Sequence, residues 1–175
     1  LIPNSIVTDT VRSYGSIAQV LESPDHNWIL IRNSDNDRRV SNCPQGVTCD
    51  SSYEGYYNNP YILQLAEITD PNNVKFTDIS IDPSKLTLPI SGQSEKFSIV
   101  EWSDSSRYII LNHQVNETSE YLVIDRQNPT VTKNLNKDFG MAVEDPHFSG
   151  SSGEIFFVRT GSDLRKLEYS GKTVS

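Results

Sequence analysis

The sequence has little positive charge, no long hydrophobic run and few cysteines. Lysine and arginine together number 15 against 23 aspartates and glutamates, and the net charge is −8. Proteins that bind nucleic acid through phosphate contacts need a basic patch, so the composition argues against nucleic acid as a partner. No apolar run approaches the roughly 18 residues of a membrane helix. We therefore expect membrane association only through segments outside this chain.

Sequence motifs of common enzymes are also missing. There is no G-x-S-x-G nucleophile elbow and no glycine-rich phosphate loop. The three histidines, His26, His113 and His147, fall at or beside predicted turns, and their spacing gives no sign that they converge on a metal ion. We therefore predict a protein that is not an enzyme and that holds no cofactor and no metal.

The two cysteines, Cys43 and Cys49, have five residues between them, including a proline and a glycine. This composition suits a loop that turns back on itself, and we predict a disulfide that closes it. Two cysteines without a Cys/His pair elsewhere cannot fill a tetrahedral zinc shell, and a redox pair normally has two intervening residues. A disulfide would indicate an extracytoplasmic location, either the cell surface or the periplasm.

Residues 42–60 form a stretch rich in serine, asparagine, glycine and tyrosine, without any regular period. Its length and composition predict a loop inserted into the first repeat of the domain. Tyrosine offers a large contact area at low entropic cost and is common on recognition surfaces. The candidate binding residues are therefore Tyr53, Tyr56, Tyr57 and Asn58. The alternative is that these tyrosines only pack the loop onto the domain.

A polar turn followed by a short apolar strand recurs at three places, residues 23–31, 102–111 and 148–158. Alignment on the turn serines puts Ile29, Ile109 and Ile155 at the same position. The second spacing is 46 residues (149 − 103) and the first is 80 (103 − 23). A four-stranded propeller blade takes about 40–50 residues. The second spacing therefore fits one blade, and the first fits one blade enlarged by the inserted loop.

These repeats resemble the blade signature of TolB-type, WD40-like β-propellers. The likeness is carried by Ser23-Pro24-Asp25 before Trp28-Ile29-Leu30 and by Trp102-Ser103-Asp104 before Tyr108-Ile109. The segment 120–129, with Asn134-Leu135-Asn136 after it, is similar to propeller regions of bacterial surface proteins that also carry a PEGA domain. Asp104 and Gly150 stand where the signature usually has proline, and the Trp-Asp dipeptide of WD40 repeats is missing.

The resemblance implies an all-β fold of about three four-stranded antiparallel blades, forming an arc of a larger propeller. We expect residues 1–175 to form a single domain and to be a fragment of a longer protein. Together with the inserted loop, the resemblance predicts a non-enzymatic module that binds a protein or glycan ligand at the bacterial cell surface. One alternative is the gating or substrate-recognition domain of a larger peptidase or hydrolase whose catalytic residues lie outside this chain. Another is a structural spacer.

Overall fold

The strand-forming segments of the sequence fold into antiparallel sheets in the computed structural model. It describes residues 17–33, 39–41, 54–56, 63–79, 81–88, 95–168 and 173–174. Strands make up 59% of the structure and helices 7%, which confirms the predicted all-β class. The described residues do not form a closed barrel or a closed propeller.

The described residues contain fourteen strands. The first six are β1 (Ile17–Glu22), β2 (Trp28–Asn33), β3 (Arg39–Ser41), β4 (Glu54–Tyr56), β5 (Leu63–Glu67) and β6 (Lys75–Ile79). The next four are β7 (Glu95–Trp102), β8 (Tyr108–Val115), β9 (Thr118–Asp125) and β10 (Asn128–Asn134). The last four are β11 (Glu144–Phe148), β12 (Ile155–Thr160), β13 (Asp163–Glu168) and β14 (Thr173–Val174).

These strands form three four-stranded sheets and one separate hairpin. Sheet 1 has the order β1-β2-β5-β6, sheet 2 has β7-β8-β9-β10 and sheet 3 has β11-β12-β13-β14. All pairings are antiparallel, so each sheet is a meander in chain order. The strands β3 and β4 pair with each other as a separate hairpin. In the chain they follow β2 and precede β5, the second and third strands of sheet 1.

The helical parts of the described chain are short. A 3₁₀ turn at Pro83–Lys85 lies in the connection between sheets 1 and 2. The helix α1 (Leu135–Phe139) follows sheet 2; the Asn134 side chain accepts a hydrogen bond from Lys137 N–H at its start, and Gly140, with φ of 65°, ends it. No helix among the described residues is long and apolar enough to cross a bilayer.

Sheet 2 is covered on both faces. One face packs against sheet 1 in a cluster formed by Leu30, Leu63, Leu65, Ile79, Ile81, Phe97, Ile99, Trp102, Ile109, Leu111, Leu122 and Ile124. The other face packs against α1 and sheet 3 in a cluster formed by Ile110, Val123, Leu135, Val143, Phe156, Val158 and Leu167. The strand β8 is therefore apolar on both sides, as a strand covered twice has to be.

The first two turn repeats are built alike. Ser23 N–H donates to Trp28 C=O at 2.9 Å, and the Ser23 hydroxyl accepts from Trp28 N–H at 3.0 Å. The corresponding distances between Ser103 and Tyr108 are also 2.9 and 3.0 Å. Both turns contain a non-glycine residue in the left-handed region, His26 and Ser106, each with φ of 57°. The repeat seen in the sequence is thus a repeat of hydrogen bonding.

The alignment of the third repeat is wrong by one residue. Ile29 pairs with the residue just before Ser23, and Ile109 pairs with the residue just before Ser103. In sheet 3 the residue just before the turn, Phe148, pairs with Phe156 and not with Ile155. The third turn is one residue longer, because Ser149 N–H donates to Ile155 C=O, six residues on.

Candidate functional site

The inserted segment lies in the connection between β2 and β5. It spans residues 34–62, and its described part is the β3–β4 hairpin, in which Arg39 lies opposite Tyr56. The corresponding connection in sheet 2 is the two-residue turn Asn116-Glu117, and in sheet 3 it is Gly161-Ser162. The first spacing of 80 residues therefore contains the last three strands of sheet 1, the insertion and the first strand of sheet 2.

The structure describes only one of the predicted binding residues, and only its backbone. Tyr56 is the last residue of β4. Tyr53, Tyr57 and Asn58 lie outside the described residues, as do both cysteines. The binding role of the tyrosines and the disulfide between Cys43 and Cys49 therefore remain predictions.

A groove lies where the first strands of sheets 1 and 2 meet. It has a volume of about 310 Å³, and Leu21, Glu22, Pro24, Val100, Glu101 and Trp102 are among the residues that line it. Two polar contacts fix its walls: Trp102 Nε1–H donates to Leu21 C=O at 3.2 Å, and the Gln19 side chain exchanges two hydrogen bonds of 2.6 Å with the Ile99 backbone. These hydrogen bonds join β1 of sheet 1 to β7 of sheet 2, and side chains from both sheets line the groove.

Two carboxylates line this groove, and each contacts a histidine. Glu22 Oε1 lies 2.7 Å from His26 Nδ1. Glu101 Oε2 lies 3.0 Å from His147 Nδ1, and its other oxygen accepts a hydrogen bond from Phe148 N–H. Glu101 therefore joins β7 of sheet 2 to β11 of sheet 3.

The contact with Glu101 continues into a short chain of charged groups on sheet 3. His147 Nε2 lies 3.4 Å from Asp145 Oδ1, and Arg159 donates to the other oxygen of Asp145 at 2.8 Å. The hydrogen bond with Glu101 raises the pKa of His147 above its ordinary value. Protonation of His147 therefore strengthens the contact between sheets 2 and 3.

A third His–Glu pair is entirely buried. His113 on β8 and Glu120 on β9 lie opposite each other, with His113 Nδ1 2.7 Å from Glu120 Oε1. Their side chains are 0% and 1% exposed. The ring of Phe97 stacks on the His113 ring at a centroid distance of 4.3 Å. No substrate can reach this pair, so its role is structural.

Glu120 also holds the connection between sheets 1 and 2. It accepts hydrogen bonds from Thr87 N–H at 2.8 Å, from the Thr87 hydroxyl, from Leu88 N–H at 3.2 Å and from Asn134 Nδ2 at 2.6 Å. Burial alone would raise the pKa of Glu120, but the hydrogen bonds from His113, Thr87 and Asn134 outweigh it and lower the pKa to about 2. Glu120 is therefore ionised at neutral pH.

The expectation that all three histidines serve at turns or on the surface is wrong for His113. His26 does lie in the first turn, and His147 is about half exposed on β11. His113 is buried on β8, where the Asn116-Glu117 turn sets the register between β8 and β9 and so places it opposite Glu120. That turn was the signal in the sequence, since counting outward from it places His113 opposite Glu120.

Among the described residues, no group of three or more histidines, cysteines, aspartates and glutamates is placed to hold a metal ion.

No known protein family matches the sequence, and no curated protein matches it either.

Proposed function

We propose that this chain is part of a β-propeller and acts as a non-enzymatic binding module for a protein or glycan ligand at the cell surface. The stacking of three meander sheets in chain order supports the propeller. The contacts between first strands support it too: Gln19 of β1 binds the Ile99 backbone of β7, and Glu101 of β7 binds Phe148 N–H of β11. Propeller blades bring their innermost strands together in this way around a common axis.

The observation that carries the binding role is the size of a single connection. The turn between the second and third strands takes two residues in sheets 2 and 3 but residues 34–62 in sheet 1. The sheet itself needs no such length, because β2 and β5 pair directly. Long loops on a rigid scaffold commonly carry binding residues. The tyrosines of this insertion are the residues that we propose make contact with the ligand.

The first prediction tests that insertion. A variant with Tyr53→Ser, Tyr56→Ser and Tyr57→Ser should lose the ligand, because it loses most of the aromatic contact area and keeps the scaffold. The measurement is recovery of surface proteins in a pull-down, together with binding to a glycan array, for the variant and for the intact chain.

The control removes an aromatic side chain elsewhere. Phe157 is 41% exposed on sheet 3, so Phe157→Ser should leave ligand recovery unchanged. Circular dichroism shows whether each variant keeps its strands. Equal recovery by the tyrosine variant and the intact chain would reject the binding role of the insertion.

A further inference from the structure

We propose that the groove between sheets 1 and 2 binds an arginine side chain of a protein partner. The groove is formed by β1, the turn after it and β7. The groove lies near the Trp28 end of β2, and the residue 34–62 insertion begins after the other end of that strand. The proposal therefore concerns a second contact site, one that does not depend on the tyrosines of the insertion.

The dimensions of the groove suit one side chain. Its volume, about 310 Å³, is at the lower limit of the roughly 300–1,000 Å³ typical of small-molecule sites. Its walls combine apolar side chains, such as Leu21 and Val100, with the indole of Trp102. Trp102 is 7% exposed and is held by its hydrogen bond to Leu21 C=O, so this wall is already in place before a ligand arrives. A fixed wall lowers the entropic cost of binding.

The two glutamates of the groove favour a positively charged ligand. Glu22 and Glu101 both line the groove together with His26, and none of the described lining residues is a lysine or an arginine. The side chain of Glu101 is 29% exposed, so solvent screens its charge only partly. Each carboxylate contacts one histidine but can accept further hydrogen bonds, since a carboxylate offers about four lone-pair positions. A positively charged donor entering the groove would therefore find acceptors on both sides.

Arginine fits these walls better than lysine or a sugar amine. Its planar guanidinium has five N–H donors and can donate to two carboxylates at once. A lysine ammonium is a compact point charge with three donors, and N-acetylated sugars carry no positive charge.

The second prediction uses short capped peptides and the intact chain. An acetylated Gly-Arg-Gly amide should shift the NMR signal of the Trp102 indole N–H, and the citrulline peptide should bind about tenfold more weakly. Citrulline keeps the shape of arginine without its charge, so this comparison needs no variant protein. Glu22→Gln and Glu101→Gln should each weaken binding of the arginine peptide about tenfold.

The matched control is Glu117→Gln, which removes the same charge from an exposed turn of sheet 2 and should leave the affinity unchanged. The triple tyrosine variant should also bind the arginine peptide as the intact chain does, so the two binding proposals can fail separately. Equal affinity for the citrulline and arginine peptides would overturn the proposal. Tighter binding of a glucosamine oligosaccharide than of the arginine peptide would overturn it too and assign the groove to a glycan.

Discussion

Glu120 shows how a single side chain can hold two sheets in place. Its two oxygens make five hydrogen-bonding contacts, with His113, Asn134 and the connection at Thr87 and Leu88. A buried carboxylate is costly unless every lone pair is used, and here the surrounding donors meet that requirement. The sequence does not indicate the other partners, because Thr87 and Asn134 lie 33 and 14 residues from Glu120 and only the fold brings them together.

The third prediction concerns this carboxylate. Glu120→Gln should lower the free energy of unfolding at pH 7 by about 2–4 kcal/mol, because the amide cannot accept from all of these donors. The folded-state pKa of about 2 lies below the ordinary 4.5. The contribution of the ionised Glu120 to the free energy of unfolding is therefore fully present above pH 4.5 and is lost as the pH falls towards 2.

Urea unfolding between pH 7 and pH 2.5 measures this effect. The difference between the Glu120→Gln variant and the unchanged chain should shrink as the pH falls. Glu117→Gln, in an exposed turn, should change stability by less than about 0.5 kcal/mol at every pH. A difference that stayed constant with pH would show that the ionised form of Glu120 is not the source of the stability.

At the scale of elements, the turns were predictable and their exact register was not. A serine, a few polar residues and then an apolar strand marked all three turns, because serine and other small polar residues favour tight turns. The third turn has one extra residue among Gly150, Ser151, Ser152 and Gly153, and sequence alone does not show where such a residue is accommodated. Phe156 is therefore the fully buried residue, and Ile155 is only partly buried.

The helix α1 was missed for a different reason. Its five residues are too short to show an apolar period of 3.6 residues. The capping residues on either side, Asn134 and Gly140, were the available signal. The strand β11 was also missed, since Glu144–Phe148 contains a proline and three charged or polar residues.

The fourth prediction compares the turn serines. Ser103→Ala should lower the free energy of unfolding by about 1–2 kcal/mol, because it leaves the partly buried Tyr108 N–H without its side-chain acceptor. Ser149→Ala should cost less than about 0.5 kcal/mol. The hydrogen bond that Ser149 makes across its turn comes from the backbone, whose N–H donates to Ile155 C=O, and the substitution leaves it in place. Thermal unfolding of the two variants measures the difference, and equal losses would show that the serine hydroxyl does not support the turn.

At the scale of the whole molecule, sheet 2 is the centre of the described structure. Its burial on both faces followed from the sequence, since Ile109, Ile110 and Leu111 are apolar in succession and all are 0% exposed. The way the sheets contact each other did not follow. Gly153 of sheet 3 lies against the face of the Tyr108 ring of sheet 2, and nothing in the sequence links these two residues.

The fifth prediction addresses this contact between sheets. A Cβ at position 153 would overlap Cγ of the Tyr108 ring, so Gly153→Ala must displace either that ring or the third turn. We expect a loss of about 1–3 kcal/mol in urea unfolding followed by circular dichroism. Ser152→Ala, at the exposed neighbouring position, is the control and should be nearly neutral. A neutral Gly153→Ala would mean that Tyr108 does not pack against the third turn.

The placement of the two tryptophans has a consequence for spectroscopy. Trp28 and Trp102 are the only tryptophans in the sequence, and both pack in the cluster between sheets 1 and 2. Tryptophan fluorescence is therefore an optical probe of this one interface, because the contact between sheets 2 and 3 contains phenylalanines and the tyrosines Tyr108 and Tyr121 but no tryptophan. Fluorescence excited at the red edge of indole absorption would therefore respond to a ligand that binds in the groove beside Trp102, and it would not respond to changes confined to sheet 3.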